Sequence, residues 1–141
     1  MGLTIVDMHM GQKASLSRIF TEEDVKACNE LTKDFNPVYQ PDEEIWKRRY
    51  SKPVVPGLLT EGLITQVISR KIPGGPCILL QKEFVFYRPV HIGDEITAEI
   101  EVIDINTKRN WVTQKVTCFN QEGTEVLKGQ VVILVQANDR E

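Results

Sequence analysis

Pro56-Gly57-Leu58-Leu59-Thr60-Glu61-Gly62-Leu63-Ile64-Thr65-Gln66-Val67-Ile68-Ser69 is the stretch on which the fold turns. Leu59, Leu63, Ile64, Val67 and Ile68 recur at helical spacing and make a broad apolar stripe, so a helix with one buried face is predicted here. Gly62, Thr65 and Ser69, spaced by three and four, form a line of small side chains where another element or a ligand could approach closely. Pro73-Gly74-Gly75-Pro76 stops the helix.

Four strand candidates follow, separated by turn signals. Ile78 to Tyr87 is the first, with Leu80, Phe84 and Phe86 read onto one face. In the second, Ile96, Ala98, Ile100 and Val102 alternate with Thr97, Glu99 and Glu101, the pattern of a half-buried strand. Asn106 to Asn110 makes a turn, Trp111 to Phe119 the third strand, Asn120 to Gly123 another turn and Thr124 to Val135 the last strand, where Gly129 marks a candidate bulge. Strands joined by short turns pair antiparallel, so a meander is expected. One long apolar helix with an antiparallel sheet to wrap it is α+β in class.

Upstream, the chain reads as helices and loops. Thr21 and Asp24 make a capping-box-like start to a helix running to about Lys33, and Asn36-Pro37 is expected to end it, because a residue before proline is pushed out of the helical region. A second short helix is expected from Pro41 to about Tyr50.

The 141 residues suit one domain, residues 1–141. Hydrophobic residues at 41% and charged residues at 26% are ordinary for a globular protein, which removes the disordered, collagen and disulfide-scaffold classes. A net charge of -3 gives no basis for nucleic-acid binding, and no apolar run is long enough to span a bilayer. With no secretory pattern at Met1 to Gln12, a cytoplasmic location is expected. Cys28, Cys77 and Cys118 are odd in number and far apart, as reduced thiols are. His9 and His91 are distant and no Cys-x-x-Cys spacing occurs, so no metal is expected.

Asp34-Phe35-Asn36-Pro37-Val38-Tyr39 resembles the Asp-x-Asn-Pro-x-His signature of MaoC-like (R)-specific enoyl-CoA hydratases and 3-hydroxyacyl thioester dehydratases. Pro53-Val54-Val55-Pro56-Gly57-Leu58-Leu59, Ile72-Pro73-Gly74, Phe86-Tyr87-Arg88-Pro89-Val90 and Ile92-Gly93-Asp94 extend the likeness, in order, over the span from about Phe20 to Val135. The resemblance implies a hot-dog fold and a reaction, without cofactor, on an acyl thioester carried by CoA or an acyl carrier protein. Water adds across a trans-2-enoyl thioester to give the (R)-3-hydroxyacyl product, or is removed in reverse. It further implies Asp34 as general acid/base, Asn36 as the residue that orients the loop or its partner side chain, and the Gly57 amide as donor to the thioester oxygen, with Pro56, Leu58 and Thr65 as substrate-binding positions. The donor role has a physical basis of its own, since a helix N-terminus presents unpaired amides. A homodimer or higher homo-oligomer, with sheet edges paired across a two-fold axis, is also implied.

Tyr39 stands where that signature has histidine. Histidine, with a reference pKa of about 6.5, passes protons near neutral pH, whereas tyrosine, near 10, remains a protonated donor. Tyr39 is therefore read as holding a water or a carbonyl, leaving proton transfer to an Asp34 made more basic by burial. Pro56 likewise replaces a histidine common before the helix glycine. Thr65 could contact the thioester or bond its own helix backbone, Glu61 is a site carboxylate or an exposed residue, and His91 is read as structural. Lys47-Arg48-Arg49, with Lys52, is a solvated helix face or a phosphate contact. Two rival functions fit the same residues: a catalytically weak thioester-binding partner subunit, and an acyl-CoA thioesterase using Asp34 or Glu61.

Overall fold

The computed structural model describes residues 2–40 and 52–137. The short helix expected at Pro41 to Tyr50 and the Lys47-Arg48-Arg49 run lie outside the described residues. Those described form β1 (Lys13–Ile19), α1 (Glu22–Thr32), α2 (Gly57–Arg70), β2 (Cys77–Phe86), β3 (Glu95–Asn106), β4 (Trp111–Phe119) and β5 (Glu125–Val135), with 3-10 turns at Ile5–Asp7 and Pro37–Tyr39.

Helix α2 forms where its periodicity puts it. Leu63, Ile64, Val67 and Ile68 are buried, joined by Thr60, while Leu59 is half-buried at the edge of the stripe. Each buried aliphatic side chain is worth about 1.5–3 kcal/mol. The helix lies chiefly on β3 and β1 and touches α1. Its first turn faces the link between β2 and β3, where the Val55 amide donates to the Val90 carbonyl at 2.7 Å and Val54 bridges His91.

The sheet is antiparallel throughout, in the order β1-β3-β4-β5-β2. This corrects the simple meander. Only β3, β4 and β5 run as consecutive neighbours; β2 crosses to the far edge and pairs with β5. Strand β1 was not expected at all, and it closes the other edge through pairs such as Leu16 with Ala98 and Ala14 with Ile100. Ile96, Ala98, Ile100 and Val102 are all buried, in keeping with their alternation.

Two details of β2 and β5 also differ from expectation. Leu79 pairs with Ile133 and Gln81 with Val132, so Leu80 is an extra residue outside the register, and Leu79, Lys82 and Phe84 line the groove beside α2 instead. Gly129 is in register between Phe84 and Val116, not at a bulge. A Cβ there would stand 1.9 Å from the Glu83 carbonyl oxygen and 2.8 Å from the Phe84 ring, so glycine is needed for close approach of the neighbouring strand.

Helix α1 starts on the expected cap: Thr21 Oγ1 accepts from the Asp24 amide, and the Asp24 carboxylate accepts from the Thr21 amide. That backbone bond first, and then Arg18, hold the Asp24 carboxyl below its ordinary value. The helix ends at Thr32, close to the expected Lys33, but Asn36-Pro37 is not what ends it. Lys33 takes a left-handed conformation with φ 62° and turns the chain out, three residues before Asn36.

Candidate active site

The loop that follows Lys33 is held by its own polar side chains. Thr32 Oγ1 donates to the Cys28 carbonyl at 2.8 Å and accepts from the Asp34 amide at 3.3 Å. Asp34 Oδ1 accepts from the Asn36 amide at 3.2 Å, and Asn36 Oδ1 from the Val38 amide at 3.1 Å. These are Asx turns, the local bonds such side chains make. Asn36, at φ −55° and ψ 131°, has the extended conformation that Pro37 imposes, and it caps the 3-10 turn that carries Tyr39.

Asp34 is exposed in the single chain, so the burial invoked for it is not present. Tyr39 is half-buried, and its phenol is pushed above the ordinary tyrosine value by burial first, then by the negative charge of Asp34, then by Cys28. The Cys28 thiol is raised by burial and again by Asp34. The carboxylate, phenol and thiol thus share one electrostatic neighbourhood, and at neutral pH the phenol is a donor.

A second cluster sits at the start of α2. Pro56 is buried and, having no side-chain acceptor, leaves the first amides without a side-chain cap. The Phe86 ring lies over Gly57, where a Cβ would be 2.9 Å from the ring tip. Gly57, Thr60, Phe86 and Arg88 line a cavity of about 410 Å³, to which Val38 contributes from the loop. Thr60 is 1% exposed, and among the described residues its hydroxyl has no hydrogen-bond partner.

Tyr39 faces a different space. It lines a cavity of about 340 Å³ with Val25, Phe35 and Ile92, together with Asn29, whose buried Oδ1 likewise has no partner among the described residues. Leu58 is exposed and borders two grooves, one with Cys28 and Thr32 and one with Glu61, Gly62 and Thr65. Thr65 is exposed, and its hydroxyl donates to the Gly62 carbonyl at 2.9 Å. Glu61 is ion-paired with Lys82. His91 is half-buried, with its ring Nδ1 3.1 Å from the Pro53 carbonyl oxygen, a contact that ties the link between β2 and β3 to the segment before α2.

Asp34, Asn36 and Tyr39 are therefore brought together on one loop, and Pro56 and Gly57 at one helix start, with Val38 between the two groups. Leu58 and Thr65 run along the outer face of the helix. Sequence reasoning missed Thr60 and Asn29. Their only signal was a polar residue within an otherwise apolar helical face. Among the described residues no group of three or more His, Cys, Asp or Glu side chains is placed to hold a metal ion, and no helix is long and apolar enough to cross a membrane.

A family model described as "MaoC like domain" matches residues 6–124. An (R)-specific enoyl-CoA hydratase of Aeromonas caviae is 32% identical over 126 residues, 89% of this chain and 94% of that protein. The solved (R)-hydratase from A. caviae superposes with a TM-score of 0.85 at 30% identity, covering 93% of this chain and 98% of that one. An unliganded R-hydratase from Pseudomonas aeruginosa gives a TM-score of 0.89 at 28% identity, covering 97% of this chain and 88% of the other. A mitochondrial 3-hydroxyacyl-[acyl-carrier-protein] dehydratase of Solanum lycopersicum is 28% identical over 91% of this chain and 78% of its own length. The fold is the α+β hot-dog fold of the R-hydratases, and the chain belongs to the MaoC-like domain family.

Proposed function

We propose that this protein is a hydratase or dehydratase of acyl thioesters, interconverting trans-2-enoyl and (R)-3-hydroxyacyl groups carried by CoA or an acyl carrier protein. In the hydration direction Asp34 takes a proton from water as the water oxygen bonds to C3. The C2–C3 electron pair then moves onto the thioester oxygen, where the Gly57 amide stabilises the charge. Collapse of the enolate returns a proton from Asp34 to C2, so nothing is oxidised and no cofactor is consumed. Tyr39 donates to the water or to the substrate and holds it, while Asn36 fixes the loop.

The observation that carries this reading is that Asp34, Asn36 and Tyr39 share one loop, whose Val38 lines the cavity of Gly57. Arg88 at the same cavity supplies a cation suited to the phosphates of a carrier. A homodimer is part of the proposal. Strand β2 is the sheet edge and exposes Ile78, Val85 and Phe86, an edge that a second copy would cover. Light scattering during size exclusion tests this, and a monomer at micromolar concentration would count against it.

Loss of crotonyl-CoA absorbance with purified, folded protein is the direct test of the activity. A rate above background that D34N abolishes is expected. No rate across several acyl chain lengths would sink the proposal. One observation favours a second reading, a thioester-binding partner subunit: the residue in the histidine's place is a phenol raised away from neutrality, which serves poorly as a base. Activity of the isolated chain excludes that reading.

A further inference from the structure

A threonine within a helix ordinarily returns its hydroxyl to a carbonyl about one turn back. Thr32 does so to Cys28 at 2.8 Å, and Thr65 to Gly62 at 2.9 Å. Thr60 does not: it is 1% exposed, yet among the described residues its Oγ1 has no partner. A buried hydroxyl left in this state is unfavourable unless something else meets it. Of the other residues lining the cavity that Thr60 shares with Gly57 only Tyr87 and Arg88 have polar side chains, and neither bonds the Thr60 hydroxyl.

The position of Thr60 on α2 gives the hydroxyl a direction. Side chains on a helix lean toward its N-terminus, so a group at the fourth position lies beside the first turn, close to Pro56 and Gly57. That turn has no side-chain cap. Among the described residues the cavity therefore holds two unmatched donors, the Gly57 amide and the Thr60 hydroxyl. A ligand oxygen that accepts from both completes the arrangement.

Resting on the thioester reading above, we infer that the Thr60 hydroxyl is a second donor to the thioester carbonyl oxygen, acting beside the Gly57 amide and fixing the direction in which that carbonyl enters the cavity. With two donors from different parts of one turn, the oxygen is held in one orientation, and the enone plane is presented to Asp34 on a fixed face. Because negative charge grows on this oxygen as water adds, the hydroxyl contributes more to turnover than to ground-state binding.

Thr60→Val keeps the shape of the side chain and removes the donor, and Thr60→Ser restores it. With crotonyl-CoA as probe, T60V is expected to lower kcat/KM by about 10- to 100-fold, mostly through kcat, with T60S within several-fold of the native protein. The urea midpoint of ligand-free T60V should be no lower than that of the native protein, because among the described residues the hydroxyl bonds nothing in the ligand-free fold. Unchanged kinetics in T60V overturn the inference. So does a T60V that unfolds earlier while T60S recovers stability, since the hydroxyl would then be structural. If the native protein binds crotonyl-CoA without turning it over, the hydratase reading fails alone, and Thr60 is judged by calorimetric Kd: about tenfold weaker binding in T60V supports it and equal binding overturns it. If the native protein neither binds nor turns over the probe, both fall together.

Discussion

Replacing Gly129 and Gly57 by alanine separates a glycine that the sheet requires from one that the proposed site requires. At Gly129 an added Cβ would stand 1.9 Å from the Glu83 oxygen, 2.9 Å from the Glu83 carbonyl carbon and 2.8 Å from the Phe84 ring. The first two are backbone atoms of β2, so relief demands that the whole strand move by more than an ångström, away from the pairs Phe84–Gly129 and Gln130–Glu83. Overpacking against backbone belongs at the upper end of the usual cost, about 3 kcal/mol, which for a chain of this size lowers Tm by about 10 °C. At Gly57 the nearest atom is the tip of the Phe86 ring at 2.9 Å, the far end of a side chain rather than backbone. The alanine also favours helix, so G57A should stay within about 1 kcal/mol of the native protein. Its kcat/KM should nevertheless fall by about tenfold or more, because the methyl group and the displaced ring both crowd the cavity beside the amide. Thermal and urea unfolding followed by circular dichroism, with crotonyl-CoA kinetics in parallel, read both effects. A G129A protein as stable as the native one, or a G57A protein destabilised to the same extent as G129A, would refute the packing argument.

The remaining expectations concern titratable groups. D34N should lower kcat by about 10²- to 10⁴-fold, with Y39F milder at about tenfold; D34N should also let the Tyr39 phenol ionise at lower pH, because it removes a charge that raises it, and an unshifted ultraviolet titration would show that the two groups do not interact. The Asp24 carboxyl is held below its unfolded value, so its contribution is complete above about pH 5 and lost as pH falls through the folded value. In urea unfolding, D24N should accordingly be less stable than the native protein by about 1 kcal/mol at neutral pH, with the gap closing as pH falls through the folded value, and a gap that persists in acid would rule out this origin. Burial pushes the Cys118 thiol up to about 12, so a thiol reagent at neutral pH should modify it only after unfolding, whereas rapid labelling of all three cysteines in the folded protein would show that the core opens.

What could be read from the sequence depended on how locally each feature is determined. Helix α2 and strand β3 are written in strict periods, and their buried faces follow directly. Strand β1 was hidden because Lys13-Ala-Ser-Leu-Ser-Arg-Ile19 buries only small or single apolar groups at a sheet edge, with Ile19 left exposed. Strand order failed for another reason. A short link normally joins neighbours, but the link between β2 and β3 is held to the segment before α2 by Val54, Val55, Val90 and His91, and this carries the chain across the fold. Gly129 illustrates the same limit, since a glycine in a strand signals a bulge and a close approach alike, and only the neighbouring strand decides between them.

The site divides along the same line. The loop itself is locally determined, because the Asp34 and Asn36 side chains each accept from a backbone amide two residues on and Pro37 opens the turn that follows. Thr60 and Asn29 could not be read, because an unmet hydrogen bond is a property of what surrounds a residue. Tyr39 lies between these cases: its place on the loop is local, but its chemistry depends on Asp34 and on burial, which act on the phenol in the same direction. A histidine at that position would meet opposing effects, with the carboxylate favouring its charged form and burial its neutral one, and so would stay near neutrality where a proton can pass both ways. For a phenol both effects oppose ionisation. This loop therefore holds Tyr39 as a donor, and in the hydration proposed above the proton that moves would leave and return through Asp34.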